Sequence, residues 1–235
     1  LKNVKQIHQH YLTSSNTGYY FKYGSNQDDY PFLNAVSAVL DTPVKKIIEM
    51  IIKTLENDKS NVLFTSLNNG NIRTQFETRE NFIDFIKHSG YLDYEILGDI
   101  ISLPGTLTPN GFNLLVFQKR TFIIKRALEK DKLREDFNLL CSEDTVHDIY
   151  NDLSRDNLIL LKDSKSYYPI VLITKKDTDQ KVAVTKRYKY DPVDKKNIIN
   201  HLSQFINNSC TDNFIDVIMY KNSLNTARKT YNMLK

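Results

Sequence analysis

Two cysteines, Cys141 and Cys210, are the thiols that this sequence could use as a nucleophile. His147 follows Cys141 closely, and Asp144 or Asp148 could orient its ring. A thiolate beside an imidazole that a carboxylate orients is the arrangement of cysteine hydrolases. The surrounding letters "NLLC" are also typical of a cysteine that packs as a small buried hydrophobe. Both interpretations stay open, and the catalytic one predicts a cysteine peptidase.

A basic segment, residues 175–196, has the composition of a nucleic-acid-binding surface. It holds eight basic and four acidic residues, so it accounts for the whole formal net charge of +4. Tyr188 and Tyr190 lie among its cations, a mixture that suits phosphate contacts combined with base stacking. The alternative is a solvated hairpin with ordinary surface lysines, and the interspersed aspartates predict weak affinity at most. The candidate contacts are Lys175, Lys176, Lys181, Lys186, Arg187 and Lys189.

Several classes of site and protein are excluded or disfavoured by composition. Two cysteines cannot supply a disulfide framework or a zinc site built from CxxC pairs, and they favour a reducing intracellular setting. No GxGxxG or GK[ST] loop occurs, so no phosphate-binding loop and no cofactor is predicted. His8 and His10 could hold a metal ion, although a polar terminus is the simpler interpretation. No apolar run approaches the roughly 18–20 residues that span a bilayer, so we expect no membrane association.

Apolar periodicity and capping residues predict helices in the N-terminal half. Thr42 is the expected N-cap of the second helix, with Pro43 at its first position. Thr78 and Asp93 are the expected N-caps of two later helices. Residues 62–67 and 72–76 around "NNGN" predict a hairpin, or else 62–67 ends a helix. The predicted helices are 31–40, 43–55, 79–90 and 94–103.

Short β-rich runs separated by turn-like residues predict a sheet in the C-terminal half. The highly charged stretch 120–136 is predicted to be an exposed helix or insert. This order of elements predicts an α+β fold with a central, largely antiparallel sheet and helices packed on it. The predicted strands are 19–23, 112–118, 137–141, 157–162, 167–174 and 181–188. The predicted C-terminal helices are 146–153, 194–208 and 220–234.

The stretch "DDYPFLNA", residues 28–35, resembles the nucleophile turn of ovarian-tumour-type (OTU) cysteine proteases. In that family an Asp-Gly-Asn-Cys turn starts a helix, and the order of "FIDFIKHSGYLDYEILGDIISL" and "GFNLLVFQ" is similar too. The resemblance places Asp28 at the first motif position, Pro31 at the nucleophile and Tyr167 of "SYYPIVLI" at the general base. It therefore implies a degenerate, non-catalytic OTU-like domain over residues 1–190. Residues 191–235 would be a helical extension packed on it.

Two further blocks are similar to a segment of very large proteins of nucleocytoplasmic large DNA viruses. They are "YGSNQDDYPFL", residues 23–33, and "LILLKDSKSYYPI", residues 158–170. The resemblance implies a non-catalytic domain that binds protein partners during virion or transcription-complex assembly, in the host cytoplasm or the virion. The alternatives are a hydrolase with an unrecognised site and a weak nucleic-acid-binding module.

Overall fold

The computed structural model describes most of the first 202 residues, and six helices precede the main strands in the described part. They are α1 (Pro31–Leu40), α2 (Val44–Asn57), α3 (Val62–Ser66), α4 (Asn71–Phe76), α5 (Arg79–His88) and α6 (Tyr94–Ser102). The described residues are 14–15, 18–26, 29–126, 129–140, 155–175, 182–191, 193, 197–200 and 202.

The described strands form one mixed sheet of seven strands in the order β1-β2-β6-β5-β3-β4, with β7 also paired to β6. All pairs are antiparallel except β3 with β5, which run parallel. The predicted α+β class with a largely antiparallel sheet is confirmed. The strands are β1 (Ser14–Ser15), β2 (Gly18–Lys22), β3 (Phe112–Arg126), β4 (Glu129–Leu140), β5 (Asp156–Asp163), β6 (Ser166–Lys175) and β7 (Val182–Thr185).

Both faces of the sheet bury apolar side chains. On one face the six helices enclose a large core that includes Phe32, Phe82, Phe112, Leu158 and Tyr167. On the other face lies a smaller cluster, against which Ile198 and Leu202 pack. Its buried members include Tyr20, Leu115, Ile159, Tyr188 and Ile199. Alternation along β5 sends Leu158 and Ile159 to opposite faces, as the period of two in a strand requires.

Of the four helices predicted between residues 31 and 103, all begin where predicted except α2. The Thr78 hydroxyl accepts a hydrogen bond from the Asn81 amide at 3.1 Å, and the Asp93 carboxylate accepts one from the Tyr94 amide at 2.8 Å. The N-cap of α2 is Pro43 rather than Thr42, because the Thr42 hydroxyl donates back to the Leu40 carbonyl at 3.2 Å. Proline there fixes the backbone just ahead of the helix.

The hairpin predicted over residues 62–76 is wrong, since this stretch is helical. α3 and α4 are joined by a 3₁₀ turn, Leu67–Gly70, in which Asn68 and Asn69 adopt positive φ angles of 48° and 54°. Asparagine tolerates that left-handed region better than most residues. The Asp99 carboxylate accepts a hydrogen bond from the Asn68 amide at 2.9 Å. The "NNG" signal therefore marks a tight link between two helices.

The helix or insert predicted over residues 120–136 is also wrong. β3 continues to Arg126, and its backbone pairs with β4 from Val116↔Leu140 to Arg126↔Glu129. Among the described strands β4 pairs only with β3, so it forms an edge of the sheet. Charged residues suit such an edge, because they discourage pairing with a further strand. The charge of this segment therefore reflects its edge position.

Candidate functional site

The segments that the OTU resemblance pairs are neighbours in the structure. Pro31 is the first residue of α1 and is partly buried, and the next side chain, Phe32, contacts Tyr167 of β6. The two ring centroids lie 5.3 Å apart with an interplanar angle of 61°. Phe32 and Tyr167 are each only 1% exposed, so the contact is closed to solvent. Asp28, the third position that the resemblance singles out, lies outside the described residues.

A proline and a buried phenol cannot provide a thiolate and an imidazole. Burial, followed by a hydrogen bond to Asp93 and the charge of that carboxylate, raises the pKa of Tyr167 well above its usual range. The phenol therefore stays neutral at physiological pH. In the described residues, this place is part of the core that joins α1 to β6.

A polar cluster built around a buried ion pair, Lys162 with Asp93, lies next to this aromatic contact. We call Lys162, Asp93, Glu95 and Tyr91 the Lys162 cluster. The Lys162 ammonium is 3.1 Å from Asp93 Oδ2 and 3.4 Å from Glu95 Oε1. The Tyr91 hydroxyl donates to Asp93 Oδ2 at 2.5 Å, and the Lys162 ammonium lies 5.2 Å from the centroid of the Tyr167 ring. The cluster connects the start of α6 to the central strand β5.

The surroundings of Asp93 favour its charged form. Burial alone would raise the pKa of this carboxyl, but hydrogen bonds from Tyr167, Tyr91 and the Tyr94 amide, together with Lys162, lower it. The hydrogen bond to Asp93 is also the main reason that the pKa of Tyr91 is raised to about 12. The Asp93 carboxylate is thus charged at neutral pH, and the Lys162 ammonium lies within 4 Å of two carboxylates.

Sequence reasoning missed the Lys162 cluster. Asp93 was recognised only as a helix cap, and Lys162 only as the end of the strand "NLILLK". The available signal was a lysine at the end of an unbroken apolar run, because a charge in a buried strand requires a partner. Its function in the structure is to hold two elements together.

The basic segment is only partly described, and two of its central residues, Lys186 and Tyr188, are engaged within the fold. Lys186 forms an ion pair with Asp41 at 2.5 Å, while the Arg187 guanidinium lies 3.9 Å from the Asp156 carboxylate. Tyr188 is 5% exposed and its hydroxyl donates to the Ile170 carbonyl at 2.8 Å, so its ring offers no face to a base. Lys189 is exposed. Lys176, Lys181 and the side chain of Lys175 lie outside what the structure describes.

Arg187 and Lys189 line an open cleft with a volume of about 200 Å³. Its other walls are Leu40 at the end of α1, the turn Thr108–Gly111 before β3, and Asp156 at the start of β5. The cleft thus lies at the amino ends of the two parallel strands, away from the Lys162 cluster.

Other predicted candidates cannot be placed. Cys141, Asp144, His147 and Asp148 lie outside the described residues, as do both N-terminal histidines. Among the residues that the structure does describe, no group of three His, Cys, Asp or Glu side chains could hold a metal ion. No helix in the described ranges is long and apolar enough to cross a membrane.

Comparison with known proteins gives one informative match. No family model matches the chain, and no solved structure matches it. A protein of Acanthamoeba polyphaga mimivirus, called uncharacterized protein R327, is 37% identical over 236 residues, which cover 100% of this chain. The chain is similar throughout to part of a giant-virus protein. It spans 15% of that mimivirus relative.

The mimivirus relative bears on both resemblances drawn from the sequence. The predicted similarity to a segment of very large giant-virus proteins is confirmed. The OTU resemblance receives no support from any family or solved structure. The α+β architecture of this chain agrees with the fold class that the OTU resemblance implies, but a shared class does not establish a shared fold or activity. The boundary between residues 1–190 and 191–235 stays a prediction, because most of the second part lies outside the described residues.

Proposed function

We propose that this chain is a non-catalytic protein-interaction domain of a large viral polypeptide, used in the assembly of the virion or of a transcription complex. Its place of action would be the host cytoplasm or the virion. The observation that carries the non-catalytic part is the closed contact between Phe32 and Tyr167 at the position of the suggested protease centre. We interpret the domain as a degenerate relative of OTU proteases that kept the scaffold and lost the chemistry.

The size of the relative supports a role as one domain among several. This chain matches 15% of the length of the mimivirus protein, so the matching segment is one part of a much longer polypeptide. The buried Lys162–Asp93 pair supports a rigid scaffold, because it joins the start of α6 to the central strand β5. Exposed apolar side chains are available for partners in the described ranges, including Tyr23, Val62 and Val193.

We expect no ubiquitin or peptide hydrolysis. Incubation with ubiquitin chains and with an electrophilic ubiquitin probe should give neither cleavage products nor an increase in mass, because Pro31 and Tyr167 cannot form a thiolate–imidazole pair. An active cysteine protease under the same conditions is the positive control. Turnover or an adduct that Cys141→Ala removes would instead establish a hydrolase with its site elsewhere in the chain.

We expect the polypeptide that contains this domain to be found in assembled complexes. An antibody against residues 18–191 can follow it through gradient fractions of an infected-cell lysate and of purified particles. The prediction is co-sedimentation with virions or with the viral transcription machinery, retained after a salt wash. Recovery solely as free polypeptide throughout infection would contradict the assembly role.

Nucleic-acid affinity should be weak and should disappear with salt. The logarithm of the affinity for duplex DNA falls with the logarithm of the salt concentration, with a slope near −0.9 per phosphate neutralised. Lys186 already pairs with the Asp41 carboxylate, so few unopposed contacts remain. Charges at the surface are screened beyond roughly 8 Å at about 0.15 M salt. The measurement is a titration at two salt concentrations with the wild type and with Lys186→Glu/Arg187→Glu/Lys189→Glu. Submicromolar binding at physiological salt that the triple variant destroys would favour the nucleic-acid module.

A further inference from the structure

The cleft beside Arg187 and Lys189 has the features of a small-anion site. Its lining is mainly polar and its volume is about 200 Å³. Pockets for drug-sized ligands are typically ~300–1,000 Å³, so this cleft suits a smaller molecule. Two cations and one carboxylate face it, Arg187, Lys189 and Asp156.

The backbone fixes both cations on the same side. Tyr188, which lies between them, exchanges two backbone hydrogen bonds with Asn157 of β5, at 2.7 and 2.9 Å. The buried Asn157 side chain donates to the Tyr188 carbonyl at 3.0 Å and accepts from Asn113 of β3 at 3.0 Å. Because side chains alternate along extended backbone, the inward position of Tyr188 turns both Arg187 and Lys189 outward. The backbone that carries both cations is therefore fixed, and both side chains leave it on the same side.

Their charges are not fully used within the described residues. The 3.9 Å separation of Arg187 from Asp156 is longer than a hydrogen bond, and in the described ranges neither the guanidinium nor the Lys189 ammonium donates one. Lys186 differs, because Asp41 holds it.

The opposite wall of the cleft is also fixed. Gly111 has a φ of 68°, and a Cβ there would meet the Ser102 carbonyl oxygen.

We propose that this cleft binds a small phosphorylated sugar, either free or as the ribose phosphate part of a nucleotide. The planar guanidinium of Arg187 would take two phosphate oxygens, and Lys189 would supply a second positive charge. The Asp156 carboxylate disfavours binding of a bare phosphate ion, because the two negative charges repel each other. A sugar hydroxyl beside the phosphate gives that carboxylate a donor to accept from. This site is independent of the protein-interaction function.

The test is calorimetric titration of the full chain with ribose 5-phosphate, adenosine monophosphate, inorganic phosphate and ribose, at millimolar ligand. We expect both phosphorylated sugars to bind and ribose to give no heat. Arg187→Gln should weaken that binding about tenfold or more, the usual effect of losing hydrogen bonds to a charged group. Arg73→Gln, an exposed arginine on α4, is the matched control and should bind like the wild type. Urea unfolding of each variant checks that the fold is intact.

Asp156→Ala separates the proposal from simple anion attraction. It should weaken binding of ribose 5-phosphate relative to inorganic phosphate, because alanine removes both the charge that repels phosphate and the acceptor for the sugar hydroxyl. Tighter binding of the monophosphate nucleotide than of ribose 5-phosphate would assign the natural ligand to nucleotides, and equal binding to free sugar phosphates. Absence of binding, binding that survives Arg187→Gln, or equal affinity for phosphate and ribose 5-phosphate in the wild type would overturn the proposal.

Discussion

Replacing Lys162 with methionine is expected to lower the free energy of unfolding by about 3 kcal/mol. The change keeps most of the side-chain volume but removes the ammonium that lies 3.1 Å from Asp93. Removing one partner of a buried ion pair typically costs 3–5 kcal/mol, because the other charge stays buried without compensation. Tyr91 and the Tyr94 amide still donate to Asp93, which places the expected value at the lower end of that range.

Urea denaturation followed by circular dichroism measures this loss. Lys165→Met, in the exposed turn between β5 and β6, is the matched control and should stay within about 0.5 kcal/mol of the wild type. The double variant Asp93→Asn/Lys162→Met keeps a capping oxygen without the carboxylate charge, so it should be more stable than Lys162→Met alone. A loss below about 1 kcal/mol for Lys162→Met would mean that the pair contributes little.

The stability lost in Lys162→Met should depend on pH. The pKa of Asp93 is lowered from its ordinary value of 3.8 in the folded protein. A carboxyl with a lowered folded pKa contributes stability that is fully present above the unfolded pKa and is lost as the pH falls through the folded one. The advantage of the wild type over Lys162→Met should therefore be constant near neutrality and shrink below about pH 4.

Replacing Phe32 with alanine is expected to cost about 3–5 kcal/mol, the usual range for a buried phenylalanine. The ring is 1% exposed and contacts both Tyr167, at 5.3 Å, and Tyr94, at 5.9 Å between centroids. Its loss leaves a void where α1, α6 and β6 meet. Because the protein has no tryptophan, tyrosine fluorescence and circular dichroism are suitable probes of unfolding.

Two neighbouring changes make the Phe32 result specific. Phe32→Leu, which fills most of the space, should cost less than half as much. Pro31→Ala alters a partly buried helix start and should change stability by less than about 1 kcal/mol. If Phe32→Ala lost no more than Pro31→Ala, the aromatic contact would not be the element that fixes α1 on the sheet.

Local signals in the sequence predicted local structure well. The caps Thr78 and Asp93 lie where predicted because each needs only amide groups within three residues. The strand over 120–136 was missed because its stability comes from pairing with a partner strand, which composition does not reveal. The parallel pairing of β3 with β5 was missed for the same reason.

The candidate sites were harder to predict because they depend on register. Lys162, which lies opposite Tyr167 in the β5–β6 register, meets Asp93 from a distant helix start, and neither neighbour can be read from the sequence. Tyr188 was expected to be available for stacking, but a bridge to Asn157 turns its ring into the second core. Because Tyr188 turns inward, Arg187 and Lys189 on either side of it turn outward into one cleft. The bridge to Asn157, which the sequence does not reveal, therefore determines both the burial of Tyr188 and the position of the two cations.

The pairing of β2 with β6 determines how late in translation the sheet can be completed. Gly18 lies opposite Thr174, roughly 150 residues further along the chain. At about 5–20 residues per second, a ribosome needs roughly 8 to 30 seconds to deliver that partner. Until then Tyr20 and Phe21 have no strand to cover them, and the helical layer has no finished sheet beneath it. Nascent chains should thus expose this apolar surface during the interval, and stalling before residue 175 should leave an aggregation-prone intermediate.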